Sequence, residues 1–176
     1  MFYWMKPLPE LQIDYNEYKP FIKNDWFRSH YMWFAYGLMI LLGVLAWFTG
    51  GFRAGNLWIK ILIYCVVYPL HELCHISVAL PKGDVYMTHS GLYFWLTPNF
   101  PMRKWHFWVY MTLPFIVFTV LPVIGSIFAP EPLRAYLIYI AWINAITAGS
   151  DIINSVLIMI KPVDSRFYRG YYRRVE

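Results

Sequence analysis

His71-Glu72-Leu73-Cys74-His75 lies within a long apolar stretch and carries the residue types best suited to chemistry in this chain. On a helix, HExxH places two imidazoles one turn apart on one face, near enough to share a zinc ion. The intervening glutamate lies beside them, where it can accept a proton from a water at the metal. All three side chains are costly inside a membrane, so finding them together points to function rather than packing.

Two histidines do not complete a catalytic zinc site, which normally takes three protein ligands and keeps one position open. Asp151 is the other carboxylate that falls within a predicted span, in Gly149-Ser150-Asp151. Asn144, Thr147, Asp151 and Asn154 recur at helical spacing and form a polar stripe. Tyr64, Tyr68, His71 and His75 form another, with Glu72 at its edge. Such stripes face the protein interior or a wet cavity, so the two are expected to face each other across the metal. Asn144 and Thr147 either contact the site or join helices by hydrogen bonds. Asn154, one turn from Asp151, is expected to orient the ligand or contact substrate, and Tyr68 to contribute to the same shell.

The elements that must position these residues are membrane spans. The chain has 176 residues, 59% hydrophobic and 21% aromatic, too apolar for an ordinary soluble domain. Nine Trp and fifteen Tyr, many near the ends of apolar runs, suit interfacial anchoring. Four stretches are long enough to cross a bilayer, at about 31–50, 57–81, 105–129 and 133–160. Residue 73 and Asp151 each lie 16 positions from the outer end of their span, which puts both about 24 Å from the outer surface at 1.5 Å per residue.

Lys and Arg set the orientation. The segments 1–30, 82–104 and 161–176 together hold twelve, whereas the two remaining loops hold Arg53 and Arg134. Both termini are therefore expected in the cytoplasm. The net charge of +5 follows from this placement and is no sign of nucleic-acid binding. The first thirty residues carry four basic and four acidic side chains and no continuous apolar core, so no cleavable signal peptide is expected there. They read instead as an interfacial segment, and 161–176 as a basic cytoplasmic tail.

Val85–His89 and Leu92–Leu96 flank Ser90-Gly91 and predict a β-hairpin between the second and third spans. The expected class is thus an all-α polytopic membrane protein of about four helices with one small hairpin. Cys65 and Cys74 share one predicted helix and cannot pair, and Cys74 points about 100° from His75, as a packing residue would. His30, His89 and His106 fall at interfaces or turns and read as anchoring residues. Glu131 is on the wrong side for the metal, while Asp84 and Asp164 belong to solvent-facing loops.

With these residues assembled, the chain resembles the site-2 protease class of intramembrane metalloproteases. More narrowly, it is similar to a compact bacterial zincin-peptidase family in which HExxH pairs with a late aspartate segment. The likeness covers about residues 57–160. Site-2 proteases carry Leu-Asp-Gly at the third ligand, whereas Asp151 is followed here by Ile152-Ile153. The resemblance implies zinc on His71, His75 and Asp151, with Glu72 as general base and then as acid to the leaving amine. It implies a membrane-embedded or membrane-proximal peptide substrate, held as an unwound strand against the hairpin. The expected setting is a bacterial cell membrane, with a core metalloprotease unit at 57–160 inside a 31–160 membrane domain. The competing classes are a zinc-binding membrane protein without peptidase activity, acting in peptide binding or immunity, and a small ion transporter. An intact Glu72 favours the enzyme over the first, and the lack of internal repeats argues against the second.

Overall fold

The computed structural model describes residues 1–90 and 93–175. Gly91, part of the predicted hairpin turn, lies outside the described residues, as do Leu92 and Glu176.

Helix α1 (Asp25–Ser29) leads into α2 (Tyr31–Phe48), and α3 (Leu57–Ala79) follows. Asn24 and Asn56 open α1 and α3 by accepting the Phe27 and Trp58 backbone N–H groups, both at 2.8 Å. Helix α4 (Lys104–Phe115) continues through a π-helical turn, Ile116–Val120, into α5 (Leu121–Phe128). The segments 31–48, 57–82 and 104–128 are each long and apolar enough to cross a membrane. Their apolar side chains lie largely on the outside, as with Ile40 at 67% exposure and Phe128 at 82%. A surface of that kind suits lipid rather than water.

The fourth predicted span is not one straight helix. Helices α6 (Leu133–Thr147) and α7 (Gly149–Met159) meet at Ala148 with a bend of 66°. No proline causes the break. A Cβ on Gly149 would lie 2.7 Å from Met39 Cγ and 3.3 Å from the Ala35 carbonyl oxygen, so glycine lets the elbow sit directly against α2. Asp151 consequently falls in the first turn of α7, where the helix dipole favours a carboxylate. The sequence expectation of one continuous polar stripe through Asn144, Thr147, Asp151 and Asn154 assumed a straight helix, and the elbow replaces it.

Two small sheets add to the expected all-α architecture. The first consists of β1 (Phe2–Trp4), β3 (Val85–Ser90) and β4 (Tyr93–Pro98) in the order β1-β3-β4. Strands β3 and β4 form the predicted hairpin, and β1 pairs parallel to β3. Val85 donates its N–H to the Met1 carbonyl and Met87 accepts from the Met5 N–H, both at 3.0 Å, so alternate residues of β3 face β1. The intervening residues of β3 face β4, where Thr88 pairs with Trp95 and Tyr86 with Thr97. Because pairing alternates along an antiparallel ladder, the backbone groups of Phe94 and Leu96 must point to the open edge of β4.

The second sheet runs β2-β7-β6-β5 and joins β2 (Lys19–Pro20), β5 (Met102–Arg103), β6 (Ser165–Tyr168) and β7 (Tyr171–Arg174). Arg169 and Gly170 link β6 to β7 with φ of 45° and 83°, the two left-handed positions of a type I′ turn. The segments read from sequence as an interfacial N-terminus and a basic tail are therefore paired with each other through β2 and β7. Phe21, Ile158, Phe167 and Tyr172 form the core beneath this sheet. Buried Lys104 donates to the Met159 and Lys161 carbonyls at 2.8 and 2.6 Å, capping the C-terminal end of α7.

Candidate metal centre

Two elements bring the site together. Helix α3 supplies His71 and His75 on one face, and the α6–α7 elbow brings Asp151 against them. His71 Nε2 lies 3.1 Å from Asp151 Oδ2, His75 Nε2 lies 3.4 Å from the same oxygen, and the two Nε2 atoms are 3.3 Å apart. Both histidines are buried, at 4% and 5% exposure. Among the described residues, these three are the one group of His, Cys, Asp and Glu close enough to share a metal ion.

Hydrogen bonds on the far side of each ring fix which nitrogen faces the centre. His71 Nδ1 lies 2.9 Å from Asn144 Oδ1, and His75 Nδ1 lies 2.6 Å from the Tyr110 carbonyl oxygen. Neither oxygen has a hydrogen to give, so both Nδ1 atoms carry the proton and both Nε2 atoms present lone pairs. Three acceptor atoms thus converge with no donor among them, which a cation resolves. In a tetrahedral zinc site with bonds near 2.05 Å, neighbouring ligand atoms are about 3.3 Å apart, the separation found here. The donor set and its spacing fit zinc.

The outer shell is built from a run of polar contacts. Asn144 is wholly buried, and its amide nitrogen donates to the Pro114 carbonyl at 3.2 Å and to Thr119 Oγ1 at 2.9 Å. That leaves its oxygen for His71. Sequence reasoning left Asn144 between a site residue and helix glue, and its contacts do both. Thr119, in the π-helical turn, also donates to the Ala141 carbonyl at 3.3 Å. Tyr110 was missed, although a signal existed: Pro114 stands four residues later and has no N–H to occupy the Tyr110 carbonyl. Tyr31 was missed as well. Its hydroxyl lies 3.0 Å from the Ser150 carbonyl and 3.0 Å from Asn154 Oδ1, tying the start of α2 to the first two turns of α7.

A cavity of about 370 Å³ opens onto the three ligands. Glu72, Tyr68, Thr147 and Asn154 all line it, together with Phe94, Trp95 and Leu96 of β4. Tyr68 stacks on Tyr64 at a centroid distance of 6.1 Å. Thr147 Oγ1 bonds back to the Ile143 and Asn144 carbonyls of its own helix, so its methyl and hydroxyl wall the cavity without reaching across it. The remaining histidines stay apart from the centre. His30 stacks on Trp26, His106 Nε2 donates to the Val78 carbonyl at 2.9 Å, and His89 belongs to β3.

Residues 64–166, more than half of the chain and inclusive of His71, Glu72, His75 and Asp151, match the model of a protein family described as "Putative zincin peptidase". No curated protein and no solved structure matches the chain. The match implies zinc, in agreement with the donor set.

Proposed function

The chain belongs to this zincin peptidase family, and on that premise we propose that it is a zinc metallopeptidase of the site-2 protease type, cutting peptide bonds of membrane-embedded or membrane-proximal segments. The observation that carries the reading is the convergence of His71, His75 and Asp151 at zinc-ligand spacing, with Glu72 on the same cavity, between helices whose outer faces are apolar. His71, His75 and Asp151 hold the metal. The chemistry zinc supplies when bound is Lewis acidity towards a water and a carbonyl oxygen.

Glu72 takes the proton from the attacking water and returns it to the departing amine. Asn144 and the Tyr110 carbonyl hold the imidazoles in the tautomer that binds metal. Tyr68, Thr147 and Asn154 border the space a substrate would enter. The substrate must be extended, because helical carbonyls are already bonded within the helix. The edge of β4 suits that need: β1 already occupies β3, while the Phe94 backbone groups and the Leu96 N–H face outward beside the cavity.

The protein is read as a multi-pass protein of a bacterial cell membrane with both termini cytoplasmic. The twelve-to-two division of Lys and Arg supports this. Both sheets, made from the basic segments, would then lie at the cytoplasmic end of a domain over 31–160.

The test is Glu72→Gln in purified protein, with zinc content and peptide cleavage measured together. Zinc retained with cleavage lost supports the peptidase. Cleavage undiminished in the variant would remove Glu72 as the base, and zinc bound with no cleavage by wild type would leave a zinc-binding protein without hydrolytic function.

A further inference from the structure

A second cavity, about 150 Å³ and largely apolar, lies between β4 and the β6–β7 hairpin. Leu96, Tyr110 and Met111 line both this cavity and the one at the metal centre, so the two are neighbours along one wall. The remaining wall includes Thr97, Phe107 and Tyr171. An apolar cavity of about this size, 150 Å³, accepts a benzene-sized group. Arg169 also lines it, and its Nη1 is held by the Pro9 carbonyl.

We infer that this cavity is a specificity subsite that takes one large apolar side chain, Leu, Met or Phe, of the peptide being cut. The inference rests on the peptidase reading above. Phe94 to Leu96 border the metal cavity and Leu96 to Pro98 border the apolar one, so a strand laid along β4 passes from one to the other. A two-residue advance is about 7 Å in a strand, which places the anchored side chain about two residues from the scissile bond. Tyr110 divides the two spaces: its carbonyl orients His75, and its hydroxyl donates to the Leu96 carbonyl at 3.1 Å. That bond uses one of the outward groups of β4 and leaves the Phe94 backbone groups and the Leu96 N–H for the peptide. The β6–β7 hairpin, formed by the basic C-terminal segment, thereby becomes part of the substrate site rather than a tail.

The experiment uses full-length protein in detergent with zinc and a synthetic peptide library, and maps cut sites by mass spectrometry. Wild type should favour Leu, Met or Phe over Ala or Ser by at least about tenfold at one position within three residues of the cut, the scale expected from burying such a side chain. Thr97→Phe keeps a strand-forming residue and fills the cavity, so the ratio of large to small should fall below about twofold. Tyr171→Ala widens the cavity and should extend acceptance to Trp. A general loss of activity does not move either ratio. Binding provides a separate readout: Glu72→Gln protein should bind a fluorescein-labelled peptide with Leu at that position at least about tenfold more tightly than its Ala counterpart, and Thr97→Phe in that background should remove the difference. Hydrolysis by wild type without any apolar preference overturns the subsite alone. An unchanged preference in Thr97→Phe does the same, as does an unchanged profile in Tyr171→Ala should Thr97→Phe fail to fold. No hydrolysis and no peptide binding by wild type overturns the peptidase reading and the subsite with it.

Discussion

Pro114 stands four residues after Tyr110 in α4, and the carbonyl it leaves without a helical donor is the one that accepts a hydrogen bond from His75 Nδ1–H, with nitrogen and oxygen 2.6 Å apart. A helix-disturbing residue thus creates the acceptor that the metal ligand needs. The Pro114 carbonyl is used in turn, accepting from the Asn144 amide that orients His71. One proline therefore stands behind the orientation of both imidazoles.

Pro114→Ala restores an N–H at position 114 that competes for the Tyr110 carbonyl. The helix itself should gain from the change, yet zinc affinity should fall by about tenfold, the lower end of what is lost with an outer-shell partner. Zinc affinity by chelator competition, beside thermal unfolding of the metal-free protein, reads the two effects separately. An affinity equal to that of wild type would mean that His75 holds its orientation without this bond.

Asn144→Ala removes the acceptor for His71 and leaves a small void in a closed site. Zinc affinity should drop about 10–100-fold. Asn144→Asp keeps an acceptor oxygen at His71 but loses the amide donor to Pro114 and Thr119, so it should fall between wild type and Asn144→Ala. Equal affinities in all three proteins would separate Asn144 from the metal centre.

Gly149→Leu tests the elbow. Its side chain would meet Met39 Cγ and the Ala35 carbonyl, and the latter is backbone that cannot turn aside. Overpacking of this kind costs about 1–3 kcal/mol and should shift α7 away from α2, taking Asp151 with it. Loss of zinc together with lowered thermal stability is the expected pattern. Full zinc occupancy at normal stability would show that α2 can retreat without moving the ligand.

The two histidines and Glu72 were legible because α3 is a continuous helix, and spacing along a continuous helix determines which residues share a face. Asp151 is legible as the other carboxylate within a predicted span, whereas the depth check on it treats 133–160 as straight. The residue is at the centre, but the geometry that puts it there is the 66° elbow at Ala148. Only Gly149 marks that elbow in the sequence, and its meaning depends on Ala35 and Met39, more than a hundred residues away. The hairpin at 85–98 was legible from alternation and turn residues. Strands β6 and β7 were hidden by their four arginine side chains, counting the turn, which read as a solvated tail. Two-residue strands such as Lys19–Pro20 carry no periodicity and exist only through their partners.

Asp151→Ala addresses the ligand set directly. A site with one open position cannot hold zinc firmly on two imidazoles, so occupancy should fall about as far as in His71→Ala. The fold should survive better than in the histidine variant, because among the described residues Asp151 Oδ2 bonds the two ring nitrogens alone, whereas His71 also anchors Asn144. Added zinc should raise the unfolding temperature of wild type and leave that of Asp151→Ala nearly unchanged, as linkage requires of a ligand that binds only one of the two. Zinc-dependent stabilisation of Asp151→Ala equal to that of wild type would remove Asp151 from the metal centre and leave two histidines in search of another partner.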